Sequence, residues 1–332
     1  MRLFSPNDAD LDAIASLLAS GEVVALPTET VYGLAANALN PEAVAKIFDI
    51  KNRPATNPLI VHTGSGQDYS KWVEIPEIAQ RLIDAFWPGP LTLVLPRKSP
   101  IPDCVTAGLP TVGIRMPAHP LMRAVLDRIP FPLAAPSANP SNYISPTCAA
   151  HVKDGLEGKL QYLMDGGECN LGIESTIVSL RKPDDPLLLR PGPITPEAIE
   201  KVMGCPLRIR QHSSRSEGPM DSPGQMKVHY SPRTPLLLVD PSDETPASCA
   251  RIRIQPEATQ NPAMIANPSA RHFFLSVSGD PGECARHLYK ILHLADQSGA
   301  DSILIDRPPD KPEWLGLADR IRRAAASGST PH

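Results

Sequence analysis

None of the six cysteines (Cys104, Cys148, Cys169, Cys205, Cys249 and Cys284) belongs to a C-x-x-C pair. Neither a zinc knuckle nor a dense disulfide framework is therefore supported, and the thiols read as buried or incidental. The common nucleotide signatures are missing too. No G-x-x-x-x-G-K-[ST] occurs and no G-x-G-x-x-G follows a strand, while Gly64-Ser65-Gly66 and Gly166-Gly167 read as turns. H-E-x-x-H and G-x-S-x-G are absent, which leaves a zinc protease or an α/β-hydrolase little support. Basic charge is not in excess: 32 Lys and Arg against 36 Asp and Glu give a net charge of -4. That balance supplies no overall footprint for tight nucleic-acid or anionic-membrane binding, although it allows a local basic patch. No apolar run reaches membrane-spanning length, and the first residues carry Asp8, Asp10 and Asp12 where a leader would be basic and then apolar. A cytoplasmic protein with no membrane partner is expected, and no internal repeat is found.

The remainder is ample for a globular protein. Of 332 residues, 42% are hydrophobic and 20% charged, enough for a sizeable core, and the length corresponds to about two domains. The 39 prolines favour short, rigid connections over long helices. A helix is expected over about residues 8 to 20, with Leu11, Ile14, Ala15 and Leu18 on one face and Gly21 as its stop. A strand from Glu22 to Leu26 follows. Asn40 and Pro41 then read as N-cap and first position of a helix carrying Val44, Ile47 and Phe48, which delivers Lys51 and Arg53 at its far end. Further strands are expected at Pro58–His62, Leu91–Leu95, Val112–Met116, Pro132–Ala135, Ser175–Leu180 and Leu187–Arg190, with helices near 76–86, 119–128 and 196–203. The class is α/β, with a twisted, mixed sheet in the domain spanning 1–207.

Residues 208–233 lack apolar periodicity and are rich in Arg, Ser, Pro and Gly, so they read as a linker or a functional loop. Alternation resumes over 234–332, with strands Pro235–Val239, His272–Val277 and Ser302–Asp306, a helix from about 282 to 297, and a last helix carrying Trp314, Leu317, Ala318 and Ile321. This pattern predicts a small C-terminal α/β domain with a largely parallel sheet.

Three polar, proline-punctuated strings stand out: Pro27-Thr28-Glu29-Thr30-Val31-Tyr32-Gly33, Lys51-Asn52-Arg53-Pro54 and Ala135-Pro136-Ser137-Ala138-Asn139-Pro140. The middle one places two cations at a helix end, where they suit a phosphate. The others end buried apolar runs in hydroxyl and amide groups, as strand ends do beside a ligand. Singly, each also has a plain reading. Basic residues at a helix C-terminus answer the macrodipole, Ser137 and Asn139 form turns, Thr30, His62 and Ser175 satisfy strand ends, and Arg115 forms an ion pair.

In order and combined, they resemble the threonylcarbamoyl-AMP synthase family, the YrdC-type proteins. The K-x-R and S-x-N signatures match Lys51-x-Arg53 and Ser137-x-Asn139. Similar blocks are Pro58 to His62, Phe86 to Thr92, Val112 to Arg115, Glu174 to Val178 and Leu189 to Gly192. Ser222-Pro223-Gly224 with His229-Tyr230-Ser231-Pro232 resembles the linker of the long, two-domain form, and Asp319-Arg320-Ile321 is the best match beyond it.

The resemblance implies a YrdC-type catalytic domain, a lid-forming linker and a small Rossmann-like domain. It also implies a reaction: L-threonine, bicarbonate and ATP give threonylcarbamoyl-AMP, pyrophosphate and water, feeding the tRNA threonylcarbamoyl-transferase machinery that modifies adenosine beside the anticodon. Lys51 and Arg53 become catalytic, with Mg²⁺ on the phosphates. Thr30, His62, Arg115, Ala135 and Ser175 become threonine contacts, Arg115 as a fork for the carboxylate. Arg53, Asn57, Thr111, Ser137, Asn139, Ser145, Arg190 and Tyr230 become ATP contacts, and Lys227, His229 and Tyr230 groups of the lid. A weak tRNA contact goes with this reading; the alternatives are a carbamoyl-AMP-forming relative, which usually carries C-x-x-C modules, and an RNA-binding or regulatory module of the same fold with a concave basic face for double-stranded RNA.

Overall fold

The computed structural model describes residues 1–210, 229–255, 266–267 and 271–326. The first helix, α1 (Asp8–Ala19), is capped by the Asn7 side chain accepting from the Asp10 amide, and buries Leu11, Ile14 and Leu18. Gly21, just beyond it, adopts φ 82°, which glycine tolerates without strain. Helix α2 (Pro41–Lys51) begins as expected, with Asn40 Oδ1 accepting from the amides of Glu42 and Ala43, and ends at Asn52 in the left-handed region. The other helices of this part are α3 (Glu77–Phe86), α4 (Asp103–Thr106), α5 (Pro120–Leu126), α6 (Ala149–Leu156) and α7 (Pro196–Met203).

Among the described residues eleven strands form one mixed sheet: β1 (Arg2–Phe4), β2 (Val24–Leu26), β3 (Gly33–Asn37), β4 (Ile60–His62), β5 (Leu91–Pro96), β6 (Thr111–Arg115), β7 (Leu133–Ala134), β8 (Tyr162–Met164), β9 (Thr176–Ser179), β10 (Leu187–Arg190) and β11 (Arg208–Ile209). Their order is β1-β8-β2-β3-β7-β4-β6-β5-β9-β10-β11. Strands β4 and β6 run parallel with His62 beside Arg115, whereas β5 is antiparallel to β6 and parallel to β9.

Strand alternation divides the sheet into two unlike faces. Val61, Leu93, Ile114, Val178 and Leu188 point into the main core with buried residues of α2, α3, α4, α6 and α7. The opposite face carries α1 and α5 over one half. Over the other half it presents only a small apolar strip, Ile60, Val94, Ile177 and Leu189. Ile60 and His62 lie two residues apart on that face, at the edge of a cleft.

The second sheet, ordered β12-β16-β13-β15-β14, contains β12 (Leu236–Val239), β13 (Cys249–Arg253), β14 (Ala266–Asn267), β15 (His272–Phe274) and β16 (Ser302–Asp306). All its pairings are parallel except β14 with β15. Helices α8 (Pro281–Asp296) and α9 (Leu315–Ala325) cover it, and its core extends to Ile144, Ile173 and, lining the cleft, Val31 and Tyr230. Of the linker, 211–228 lie outside the described residues, Lys227 among them, so only His229 to Arg233 of its far end can be placed.

Candidate active site

All five residues assigned to threonine, Thr30, His62, Arg115, Ala135 and Ser175, line one cleft on the open sheet face. It encloses about 560 Å³ of empty space, its mouth included. Arg115, at the end of β6, is held on three sides: Nε donates to the Gly89 carbonyl (3.1 Å), Nη1 to Thr30 Oγ1 (3.0 Å) and Nη2 to Glu29 Oε1 (2.5 Å). Thr28 Oγ1 shares a hydrogen bond with Thr30 Oγ1 (2.8 Å) and accepts from the Val31 amide, which fixes the turn into β3. Ser175 Oγ pairs with Thr92 Oγ1 (2.8 Å) and accepts from Arg190 Nη2 (3.1 Å).

Of the nucleotide assignments, Arg53, Ser137, Arg190 and Tyr230 also line the cleft. Asn57 stands behind Arg53, accepting from its Nε at the backbone and from Nη2 at Oδ1 (2.7 Å). Ser145 is one step back, donating to Glu174 (2.6 Å), and Thr111 is buried at the start of β6 without reaching the lining. Asn139 donates to the Tyr143 carbonyl (2.7 Å). Lys51 needs a correction. It does not project from the helix end: its buried ammonium donates to the carbonyls of Ser137 (2.5 Å) and Asn139 (2.6 Å), pinning the turn from behind, and it is not part of the lining.

Three guanidinium groups, Arg53, Arg115 and Arg190, thus face a cleft whose carboxylate is Glu174, already engaged by Ser145, Tyr289 and Arg320. Such an excess of cations in a desolvated space attracts anions. Burial pushes the Arg53 guanidinium down, and neighbouring Arg190 adds to this. Burial alone would raise Glu174, but Arg320 and Arg190 outweigh it and hold the carboxyl at about 2. Burial, then Arg115, lowers His62 to about 3, so the ring is neutral.

Burial also lowers His229 and His293 to about 3 and His151 to about 4 from an ordinary 6.5. Because the unfolded chain takes up these protons first, the stability present above pH 6.5 is lost as the pH falls through the window toward 3 to 4. The thermal midpoint is therefore expected to drop continuously from pH 7 to 4.5, and a level midpoint would contradict four neutral rings with lowered pKa.

Residues 16–192 match the Sua5/YciO/YrdC family model, described as telomere recombination. The chain belongs to this family. Residues 194–326 match a second model, the threonylcarbamoyl-AMP synthase C-terminal domain. The chain is 40% identical over 322 residues to the threonylcarbamoyl-AMP synthase of Pyrococcus abyssi, covering 94% of this chain and 92% of that one. It is 41% identical to the Bacillus subtilis threonylcarbamoyl-AMP synthase, covering 97% and 94%. The crystal structure of P. abyssi Sua5 complexed with L-threonine superposes with a TM-score of 0.87 at 35% identity, over 99% of this chain and 98% of that one. The fold class read from sequence is that of this family.

Three groups at or beside the cleft had no role assigned from sequence: Thr28, Glu29 and Glu174. A buried acid within a hydroxyl-rich strand approach, as in Glu174-Ser175-Thr176, was the available signal. Its partners Tyr289 and Arg320 lie 115 and 146 residues away, beyond any local pattern.

Proposed function

We propose that this Sua5/YciO/YrdC-family chain is an L-threonylcarbamoyladenylate synthase, joining L-threonine, bicarbonate and ATP into threonylcarbamoyl-AMP with release of pyrophosphate and water. The observation that carries the reading is the convergence of Thr30, His62, Ala135 and Ser175 with three guanidinium groups in one cleft. Arg115, steadied by Glu29 and Thr30, receives the threonine carboxylate, and Ser175 and Thr30 present hydroxyls beside it. Carbamate formation and adenylation then gather anions in one place, so positioning and cationic stabilisation dominate. Arg53 and Arg190 supply charge toward the phosphates, and Ser137, held by Lys51, sets the wall between the substrates. His62 Nδ1 lies 3.3 Å from the Ile60 carbonyl, an arrangement in which the other ring nitrogen can face the amine.

Mg²⁺ would enter on the triphosphate. Among the described residues no cluster of three metal-ligating side chains exists, and Glu174 is engaged, so the donors do not fit a resident ion. The product's destination is the tRNA threonylcarbamoyl-transferase machinery, with a cytoplasmic setting and weak tRNA contact as further parts of this reading. No helix among the described residues is long and apolar enough to cross a membrane.

Labelled bicarbonate incubated with ATP, with and without threonine, tests the assignment. A labelled adenylate that requires threonine is expected. With a labelled carbamoyl donor in place of bicarbonate, a labelled adenylate formed without threonine would favour the carbamoyl-AMP reading, and no adenylate in either arm the RNA-binding module.

Tyr230 supplies a smaller test. It adopts φ 64°, and its buried hydroxyl has no partner among the described residues although the residue lines the cleft. Loss of one hydrogen bond to a charged group is worth about 1.5–3 kcal/mol, so Tyr230→Phe is expected to raise the KM for ATP about tenfold and leave threonine unaffected. An unchanged KM would detach the hydroxyl from the nucleotide.

A further inference from the structure

Glu174, the carboxylate of the cleft, takes its partners from the second sheet's helices. Arg320 of α9 donates through Nε to Oε2 at 2.6 Å, and the Tyr289 hydroxyl of α8 reaches Oε2 at 3.0 Å and Oε1 at 3.2 Å. Arg320 is fully buried; Nη2 donates to the Glu174 carbonyl (3.2 Å), and Nη1 to the Pro191 carbonyl (3.0 Å) and to Oδ2 of its neighbour Asp319 (2.9 Å). Glu174 directly precedes Ser175, and Pro191 directly follows Arg190. The far side of the carboxylate accepts from Ser145 Oγ (2.6 Å), and the guanidinium sits 5.2 Å from the Tyr230 ring centre.

The surrounding backbones leave this grip little play. A Cβ on Gly172 would stand 2.5 Å from the Cα of Arg286 in α8, and one on Gly316 in α9 would stand 3.0 Å from the Gly192 carbonyl oxygen. Both helices are thus seated directly on the loops that flank Glu174 and Ser175.

We infer that Arg320 is a positioning residue for the nucleotide end of the cleft, and that the C-terminal domain is a fixed wall of the active site. This rests on the function proposed above. Of the groups that Arg320 steadies, Ser145, Arg190 and Tyr230 are assigned to ATP, and only Ser175 to threonine. Its removal therefore acts selectively. Its partners are Glu174, the two carbonyls, Asp319 and the Tyr230 ring, so its effect on the nucleotide passes through these groups.

The test is calorimetric titration of a non-hydrolysable ATP analogue and, separately, of threonine into the full chain and its variants. Losing a charge-assisted network of this kind predicts that Arg320→Met weakens the ATP analogue at least about 20-fold and threonine less than about threefold. Arg320→Lys, which keeps charge but not the fork, should fall between, at about fivefold for the analogue. Tyr289→Phe removes one hydroxyl and no charge, and should cost about three- to fivefold for the analogue alone. It carries the same selectivity test should Arg320→Met fail to fold. Equal weakening of both ligands, or an unchanged analogue affinity, would reduce Arg320 to a fold residue. A wild-type chain that binds neither ligand would instead overturn the proposed function, and this inference with it.

Discussion

Arg53→Ala is expected to lower kcat for adenylate formation at least about a hundredfold, since removing one preorganised donor from developing charge costs about 3–4 kcal/mol. Arg53 lines the cleft while Nε and Nη2 are anchored on Asn57 and Pro58, so the guanidinium is fixed in place before any substrate arrives. Lys51→Ala should fail differently. Its ammonium touches the turn at Ser137 and Asn139, not the cleft, so the ATP KM is expected to rise more than kcat falls. Neither variant leaves the fold untouched. Each abandons buried carbonyls, at about 1–3 kcal/mol for an unsatisfied group, and assays belong below a thermal midpoint measured for each protein. Wild-type turnover in Arg53→Ala at saturating substrates would end its catalytic assignment.

How such residues behave was only partly legible in the sequence. Local signals with local partners came through: Asn40 and Pro41 start α2, Gly21 follows α1, and Leu187–Arg190 is a strand with the bounds read from its pattern. The chemical strings also converge as expected on one cleft. What escaped depends on distant acceptors. Lys51 looked like an exposed cation because its partners are backbone carbonyls 86 and 88 residues away, which no side-chain pattern announces. Strand β3 was missed because Gly33-Leu34-Ala35-Ala36-Asn37 holds no β-branched or aromatic residue, and it forms between β2 and β7. Strand β13, Cys249-Ala250-Arg251-Ile252-Arg253, was missed because its two arginines interrupt any apolar run, whereas Arg251 is fully buried against Asp306 at 2.5 Å. Tertiary pairing overrode propensity in both cases.

Arg115→Lys is expected to weaken threonine at least about 50-fold and the ATP analogue less than about threefold, because lysine keeps the charge but loses the planar fork. The native guanidinium spans the Gly89 carbonyl, Thr30 Oγ1 and Glu29 Oε1 with donors in three directions, and still has N–H groups for a ligand carboxylate. An ammonium concentrates its donors at one point and cannot hold these anchors while also meeting the substrate. Glu29 makes the change harsher. Its Oε2 is buried without a partner among the described residues, so the acid relies on Arg115 for compensation. A loosened pairing leaves a buried charge to compete with threonine for the same cation. Glu29→Gln separates the contributions: it keeps the fork, relaxes its anchoring, and should weaken threonine by only about tenfold, one charge-assisted hydrogen bond's worth. Calorimetric titration of each ligand into each variant decides the matter, and equal losses for threonine and nucleotide in Arg115→Lys would move this arginine out of the amino-acid site.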